Sequence, residues 1–228
     1  KIIPQLRALK SAFGVETEQI ADMLDNLVDS GLVKDQAKAL ETLKIALAKS
    51  PNKNELVSFL NDSAESATNL GLTFEQLINI KQDLEGTPLD PAKVFGAMDT
   101  FISRILSQSE KISPVLEKSF GGEFSKNLFK GITDGSLKYA DALTLIYKKG
   151  EELKISDKER ADIAKSMFGK SGASAIAYNE ILGTISESYR DINENLTESQ
   201  EETLRLANAF EEMEKKKLLG MTLAELKS

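Results

Sequence analysis

The chain has 228 residues, room for one domain or two small ones with a real hydrophobic core, and its 29 Lys and Arg stand against 36 Asp and Glu for a net charge of −7. That acidic balance argues against a general nucleic-acid binder and against a polybasic membrane-surface protein, while 41% apolar and 29% charged residues describe a folded composition. His, Cys and Trp are absent, which excludes disulfides, thiolate zinc sites, Ser-His-Asp triads and imidazole acid/base chemistry.

The chain opens on Lys1-Ile2-Ile3-Pro4, with no Met and no apolar leader segment. The simplest expectation is a piece of a longer polypeptide. Apolar residues then recur at helical spacing nearly throughout, and no segment alternates as a strand does. The periodicity predicts helices at about 5–12, 17–29, 34–49, 53–69, 74–84, 91–107, 114–119, 122–130, 137–149, 157–167, 171–189 and 197–226. In the 34–49 helix Ala37, Leu40, Leu43 and Leu47 share a face. The strongest stripe is Val94, Phe95, Met98, Phe101, Ile102, Ile105 and Leu106, opened by the N-cap and proline pair Asp90-Pro91. Tyr178, Ile181, Leu182, Ile185 and Tyr189 form another face.

Capping boxes are expected at Asn52–Glu55, Thr73–Gln76 and Ser156–Glu159, and glycine stops at Gly31, Gly71, Gly86 and Gly150. Four Phe-Gly pairs recur: Phe13-Gly14, Phe95-Gly96, Phe120-Gly121 and Phe168-Gly169. Three read as a core phenylalanine on the last turn followed by a helix-ending glycine; Phe95-Gly96 lies inside a helix and reads as packing. Their spacings are irregular, so they do not mark a repeat array.

From Glu194 to Lys217 the chain is rich in Glu and Lys, with a thin apolar stripe of Thr203, Leu206, Phe210 and Met213. This reads as a charged helix leading out of the globular part. The expected fold is all-α, a compact to modestly elongated array of about ten short helices ending in that charged helix. The expected organisation is a helical module at 1–190 and the charged helix at 191–228.

Candidate chemistry is sparse. Gly169-Lys170-Ser171 looks like the end of a phosphate-binding loop, but position 164 is Ala where glycine is required, and no strand precedes it. Asp83, Glu85 and Asp90 around Gly86 lack the calcium-loop spacing. Lys215, Lys216 and Lys217 are answered by Glu211, Glu212 and Glu214, as on a solvated helix face. A glycosidase-like pair of carboxylates is compatible with 36 acids, yet the acids lie on polar faces beside lysines, as Glu151 and Glu152 do beside Lys148 and Lys149. No catalytic, cofactor-binding or metal-binding residue is assigned, and no enzyme is expected. The longest stretches without a charge, 66–74 and 171–179, are nine residues, far short of a membrane helix.

Three groups of short words together resemble one family. The first is Phe13-Gly14-Val15, the run 16–27 and Ser30-Gly31-Leu32. The second is Ala67-Thr68-Asn69-Leu70-Gly71-Leu72-Thr73-Phe74-Glu75. The third runs from Phe120-Gly121 through 127–134, Gly135-Ser136-Leu137, 140–143 and 149–153 to Met167-Phe168-Gly169-Lys170-Ser171-Gly172. Their order over residues 10–190 resembles the tail tape-measure proteins of tailed bacteriophages and prophages. The resemblance implies a structural part in setting tail length and assembling the tail. It implies tail tube and tail-assembly chaperone proteins as partners, with self-association possible, and no specific nucleic acid or membrane contact by this segment. It places the chain in the virion tail lumen, and in the host cytoplasm during assembly. The readings that compete with it are a cell-wall-cleaving helical domain using two carboxylates and a generic helical adaptor.

Overall fold

A computed structural model describes residues 2–170 and 177–225, with side chains to residue 221. Among the described residues the protein is all-α, with twelve α-helices, one π-helical turn and no strand. The helices are α1 Ile3–Phe13, α2 Thr17–Asp29, α3 Gln36–Lys49, α4 Lys53–Leu70, α5 Phe74–Leu84, α6 Pro91–Ser107, α7 Ser109–Phe120, α8 Gly122–Thr133, α9 Tyr139–Leu153, α10 Asp157–Phe168, α11 Gly183–Glu187 and α12 Glu198–Glu225. The π-helical turn Tyr178–Leu182 leads directly into α11.

Local chemistry sets most of these ends. Thr73 and Gln76 form a reciprocal capping box, with the Thr73 N–H donating to Gln76 Oε1 at 2.8 Å and the Gln76 N–H donating to Thr73 Oγ1 at 3.2 Å. Ser156 and Glu159 form another. At Asn52 the Glu55 N–H donates to Asn52 Oδ1 at 3.2 Å, and the Asn52 side-chain amide donates to the Glu55 carboxylate at 3.1 Å. Phe13, Phe120 and Phe168 each end a helix and are buried, and the glycine after each has positive φ. Phe95 is buried inside α6, as expected of a packing residue.

Some expected boundaries shift. Gly150 does not end a helix: α9 runs on to Leu153, and Lys154 takes the left-handed C-cap conformation at φ 50°. The 114–119 helix begins earlier, at Ser109, and carries Pro114 within it. Residues 171–176 of the expected 171–189 helix, including Ser171 and Gly172, lie outside the described residues. Its remaining part ends at Glu187, and Tyr189 is exposed, with its hydroxyl donating to Asp141 Oδ1 at 2.5 Å.

The chain divides into two units, the first made of residues 1–65, 73–78 and 190–228, the second of 66–72 and 79–189. Residues 190–228 therefore belong with the N-terminal helices instead of standing apart after residue 190. In the first unit α12 packs along α1 and also meets α3, so it does not lead outward from the globular part. Its inner face carries buried Ala207 and Glu211 with half-buried Thr203, Leu204, Phe210 and Glu214. Leu206 and Met213 of the expected stripe are instead 51% exposed each. Leu9, Ile20, Leu24, Leu40, Leu43 and Leu47 are fully buried in this unit. The segment before α12 is pinned from two sides. Lys49 Nζ donates to the Ile192 and Glu194 carbonyls, and the Ile192 N–H donates to Glu75 Oε1 at 2.7 Å. Burial, and then the Arg190 charge, push the Lys49 pKa down.

One ion-pair cluster is buried in the first unit. Lys44, 4% exposed, donates to Glu211 Oε2 at 2.7 Å, Asn208 Oδ1 at 2.9 Å and Glu41 Oε2 at 3.0 Å. Glu211, 6% exposed, also pairs with Lys215 at 2.9 Å. Burial alone would raise the Glu211 pKa, but hydrogen bonds from Lys44 and Lys215 outweigh it and the net shift is downward.

The second unit packs α7 on α8, α10 on α6 and α7, and α11 on α9. In it Tyr178 packs against α9. Tyr178 is fully buried and its hydroxyl donates to the Ile146 carbonyl at 3.0 Å. That hydroxyl occupies the space over Gly150, where a Cβ would lie 2.2 Å from Oη. Arg160 lies 5.7 Å over the Tyr178 ring and pairs with Glu151 at 2.8 Å. Desolvation raises the Tyr178 pKa far above its ordinary value, so the phenol stays a neutral donor.

Candidate protein-binding groove

A concavity in the second unit grows from a defect in the strongest amphipathic stripe. Val94, Phe95, Met98, Phe101 and Ile105 of α6 are buried, and Ile102 is half-buried. Leu106, the last member, is 68% exposed. The reason is backbone geometry. Gln108, at φ −141° and ψ 34°, ends α6 and turns the chain into α7, so no neighbour reaches over the final turn. A second break at Gly121, φ 91° and ψ 154°, turns α7 into α8.

The result is a groove of about 930 Å³ bordered by α6, α7, α8 and the start of α9. Ile105, Leu106, Phe129, Ile132 and Tyr139 give it an apolar floor. Tyr139 is fixed by edge-to-face packing on Phe101, with ring centroids 6.4 Å apart. Beneath the α7–α8 contact, Ser113 and Ser125 hydroxyls lie 3.1 Å apart, and Ser113 also donates to Glu117 at 3.0 Å. Glu110, Glu117 and Lys126 stand along the groove, and among the described residues none of the three has an ion-pair partner. An apolar floor with unpaired charges at its edge suits a protein segment better than a small metabolite.

A second cleft of about 480 Å³ is lined by Arg104, Lys118, Lys165, Glu159 and Asp162, among others. Two of its charges are engaged in structure. Arg104 Nε donates to the Ser166 carbonyl at 2.9 Å, and Glu159 closes the capping box of α10. The Ser156 side chain, then its backbone N–H, holds the Glu159 carboxyl below its ordinary pKa.

The acids singled out in the sequence fall into similar structural duties. Asp90 accepts from the Ala92 N–H at 3.0 Å as N-cap of α6, and Glu85 lies 3.9 Å from Lys81. Glu152 pairs with Lys149 at 2.9 Å. On α12 Lys215 pairs with Glu211 and Glu212, and Lys217 with Glu214 at 2.6 Å, the expected intrahelical pattern. Among the described residues the carboxyls with displaced pKa values are all displaced downward. Besides Glu159 and Glu211 they are Asp134, held by Ser136, Asp191, held by Asn193, and Glu214, held by Lys217. A general acid needs the opposite displacement. Among the described residues no group of three or more acids is placed to hold a metal ion, and no helix is long and apolar enough to cross a membrane.

Sequence reasoning did not anticipate the groove, because Leu106 continues an unbroken helical stripe and nothing in its spacing marks it as uncovered. The Lys44–Glu211 pair did leave a signal. Lys44 follows Leu40 by four residues, and Glu211 follows Ala207 by four, so each charge stands on the buried face of its helix. No known protein-family model matches the chain, and no curated protein or solved structure matches it.

Proposed function

We propose that this chain is a structural segment of a tail tape-measure protein of a tailed bacteriophage or prophage, working through protein–protein contacts and not through catalysis. The observation that carries the reading is the ordered set of short words over residues 10–190, from Phe13-Gly14-Val15 to Met167-Phe168-Gly169. The apolar-floored groove between α6 and α9 supports it as a surface built for a protein partner. In this role the segment helps set tail length in the tail lumen. It meets tail tube subunits there, and assembly chaperones in the host cytoplasm beforehand.

The open reading frame tests the assignment. A parent chain of many hundreds of residues, lying among tail-protein genes, is expected; a short parent ending near Ser228 overturns it. Binding tests the surface. Purified tube and chaperone proteins from the same gene cluster should bind the chain, and Leu106→Arg should weaken that binding at least tenfold while leaving the helical spectrum unchanged. Peptidoglycan cleavage by the purified chain, lost on replacing a single carboxylate such as Glu123 or Glu180 with folding intact, would replace this reading with the enzyme.

A further inference from the structure

The outward face of α12 carries an ordered stripe that its own unit leaves unused. α1 and α3 lie on the side of Ala207 and Glu211. On the opposite side, at 3–4 residue spacing, stand Glu202, Leu206, Ala209, Met213 and Lys216, all exposed. Leu206 and Met213 are large apolar side chains with half their surface in water, and Ala209 between them is small enough to let a second backbone approach. The stripe is acidic at one end and basic at the other. Among the described residues neither Glu202 nor Lys216 has an ion-pair partner within the chain.

We propose that this stripe pairs with the same stripe of a second copy, the two α12 helices running antiparallel and crossing at Ala209. Charge selects both the occupant and the direction. Antiparallel pairing brings Glu202 of each copy to Lys216 of the other and lays Leu206 beside the other copy's Met213. Parallel, in-register pairing would set Glu202 against Glu202 and Lys216 against Lys216, which is repulsive at both ends. The arrangement is self-complementary under a two-fold axis, so it closes at a dimer. The paired stretch 202–216 is about 22 Å long at the α-helical rise. A contact of that length lies at the small end of specific interfaces, so the dimer is concentration-dependent. The proposal does not depend on the tape-measure reading.

Sedimentation of the full chain tests it. A monomer–dimer equilibrium is expected across roughly 10–300 µM, weakened by molar salt. Leu206→Asp with Met213→Asp should abolish the dimer without loss of helicity, since both side chains are exposed. Lys216→Glu should weaken it, and adding Glu202→Lys should restore it. The absence of native cysteine allows a direct reading of direction. Under mild oxidation, Leu206→Cys chains alone and Met213→Cys chains alone should link poorly, and their mixture should link as a heterodimer. In an antiparallel pair two copies of position 206 lie about 10 Å apart along the axis, beyond disulfide reach. A monomer throughout the range, a dimer indifferent to the Asp and charge-swap variants, or efficient linking of Leu206→Cys chains to one another would each overturn the proposal.

Discussion

Replacing Gly150 by alanine separates two accounts of the same residue. A glycine in the middle of an exposed helix is a weakness, and alanine there would stabilise by about 1 kcal/mol. Gly150 instead faces the fully buried Tyr178, whose Oη would lie 2.2 Å from the new Cβ, with Ile155 Cδ1 at 3.1 Å and Tyr178 Cζ at 3.2 Å. No real Cβ tolerates the first of these distances, so the ring must withdraw. Overpacking of this kind costs about 1–3 kcal/mol. Pulling the phenol off the Ile146 carbonyl strands a buried hydroxyl at a further cost of about 1–3 kcal/mol. Set against the gain in helix propensity, Gly150→Ala should destabilise by about 3 kcal/mol. Urea denaturation followed by far-ultraviolet circular dichroism measures the change. Tyr178→Phe in the Gly150→Ala background should recover part of the loss, because it removes the atom that clashes. A Gly150→Ala protein as stable as the parent, or more so, would refute the packing account, since the two accounts differ in sign.

The buried cluster of the first unit gives a second test. Lys44→Ala leaves Glu211 without its main partner and should cost about 3 kcal/mol, at the low end for a broken buried pair because Lys215 remains beside it. Lys44→Met with Glu211→Leu should return near parental stability, and a loss below about 1 kcal/mol for Lys44→Ala in urea melts would count against the pair's importance. The downward-shifted carboxyls of Asp134, Glu159, Asp191, Glu211 and Glu214 bind protons more weakly folded than unfolded. Their stabilisation is therefore complete above the ordinary carboxyl values of 3.8 and 4.5 and is lost as pH falls through the lower folded values. Urea midpoints should hold between about pH 5.5 and 7 and fall steadily below about pH 4.5; a midpoint rising on acidification would contradict this. Phe101→Ala should cost about 3–5 kcal/mol as a buried aromatic truncation, whereas exposed Leu106→Arg should change stability by less than about 0.5 kcal/mol. Equal losses in thermal melts would show that the groove floor is in fact core.

Much of the fold is legible in local signals. The all-α class, the capping boxes at Thr73 and Ser156 and the helix-ending Phe-Gly pairs are each written in a few neighbouring residues. They involve backbone groups that the same residues must satisfy. What stayed hidden depends on contacts distant in the chain. Gly150 reads as a stop because its partner, Tyr178, stands 28 residues later and only the folded unit brings them together. Leu106 reads as core because its stripe is intact; its exposure comes from where α7 turns away. On α12 the expected stripe of Thr203, Leu206, Phe210 and Met213 is split between two faces, with Thr203 and Phe210 half-buried and Leu206 and Met213 exposed. The one against α1 is built from Ala207, Leu204 and Phe210, with Glu211 made tolerable there by Lys44. The groove has no sequence signature of its own, since it consists of what the neighbours fail to cover.

The first unit is assembled from both ends of the chain, with most of the second unit's residues between them. On a ribosome this imposes a schedule. The face of α1 that receives α12 is complete once residue 65 is made, but its cover lies beyond residue 190. At about 5–20 residues per second the wait is roughly 6–25 s, ample for the second unit, which is nearly contiguous, to fold first. Throughout that interval the face of α1 that α12 finally covers lacks that cover. Synthesis, and not equilibrium stability, is therefore the stage at which this protein is most open to capture by another chain.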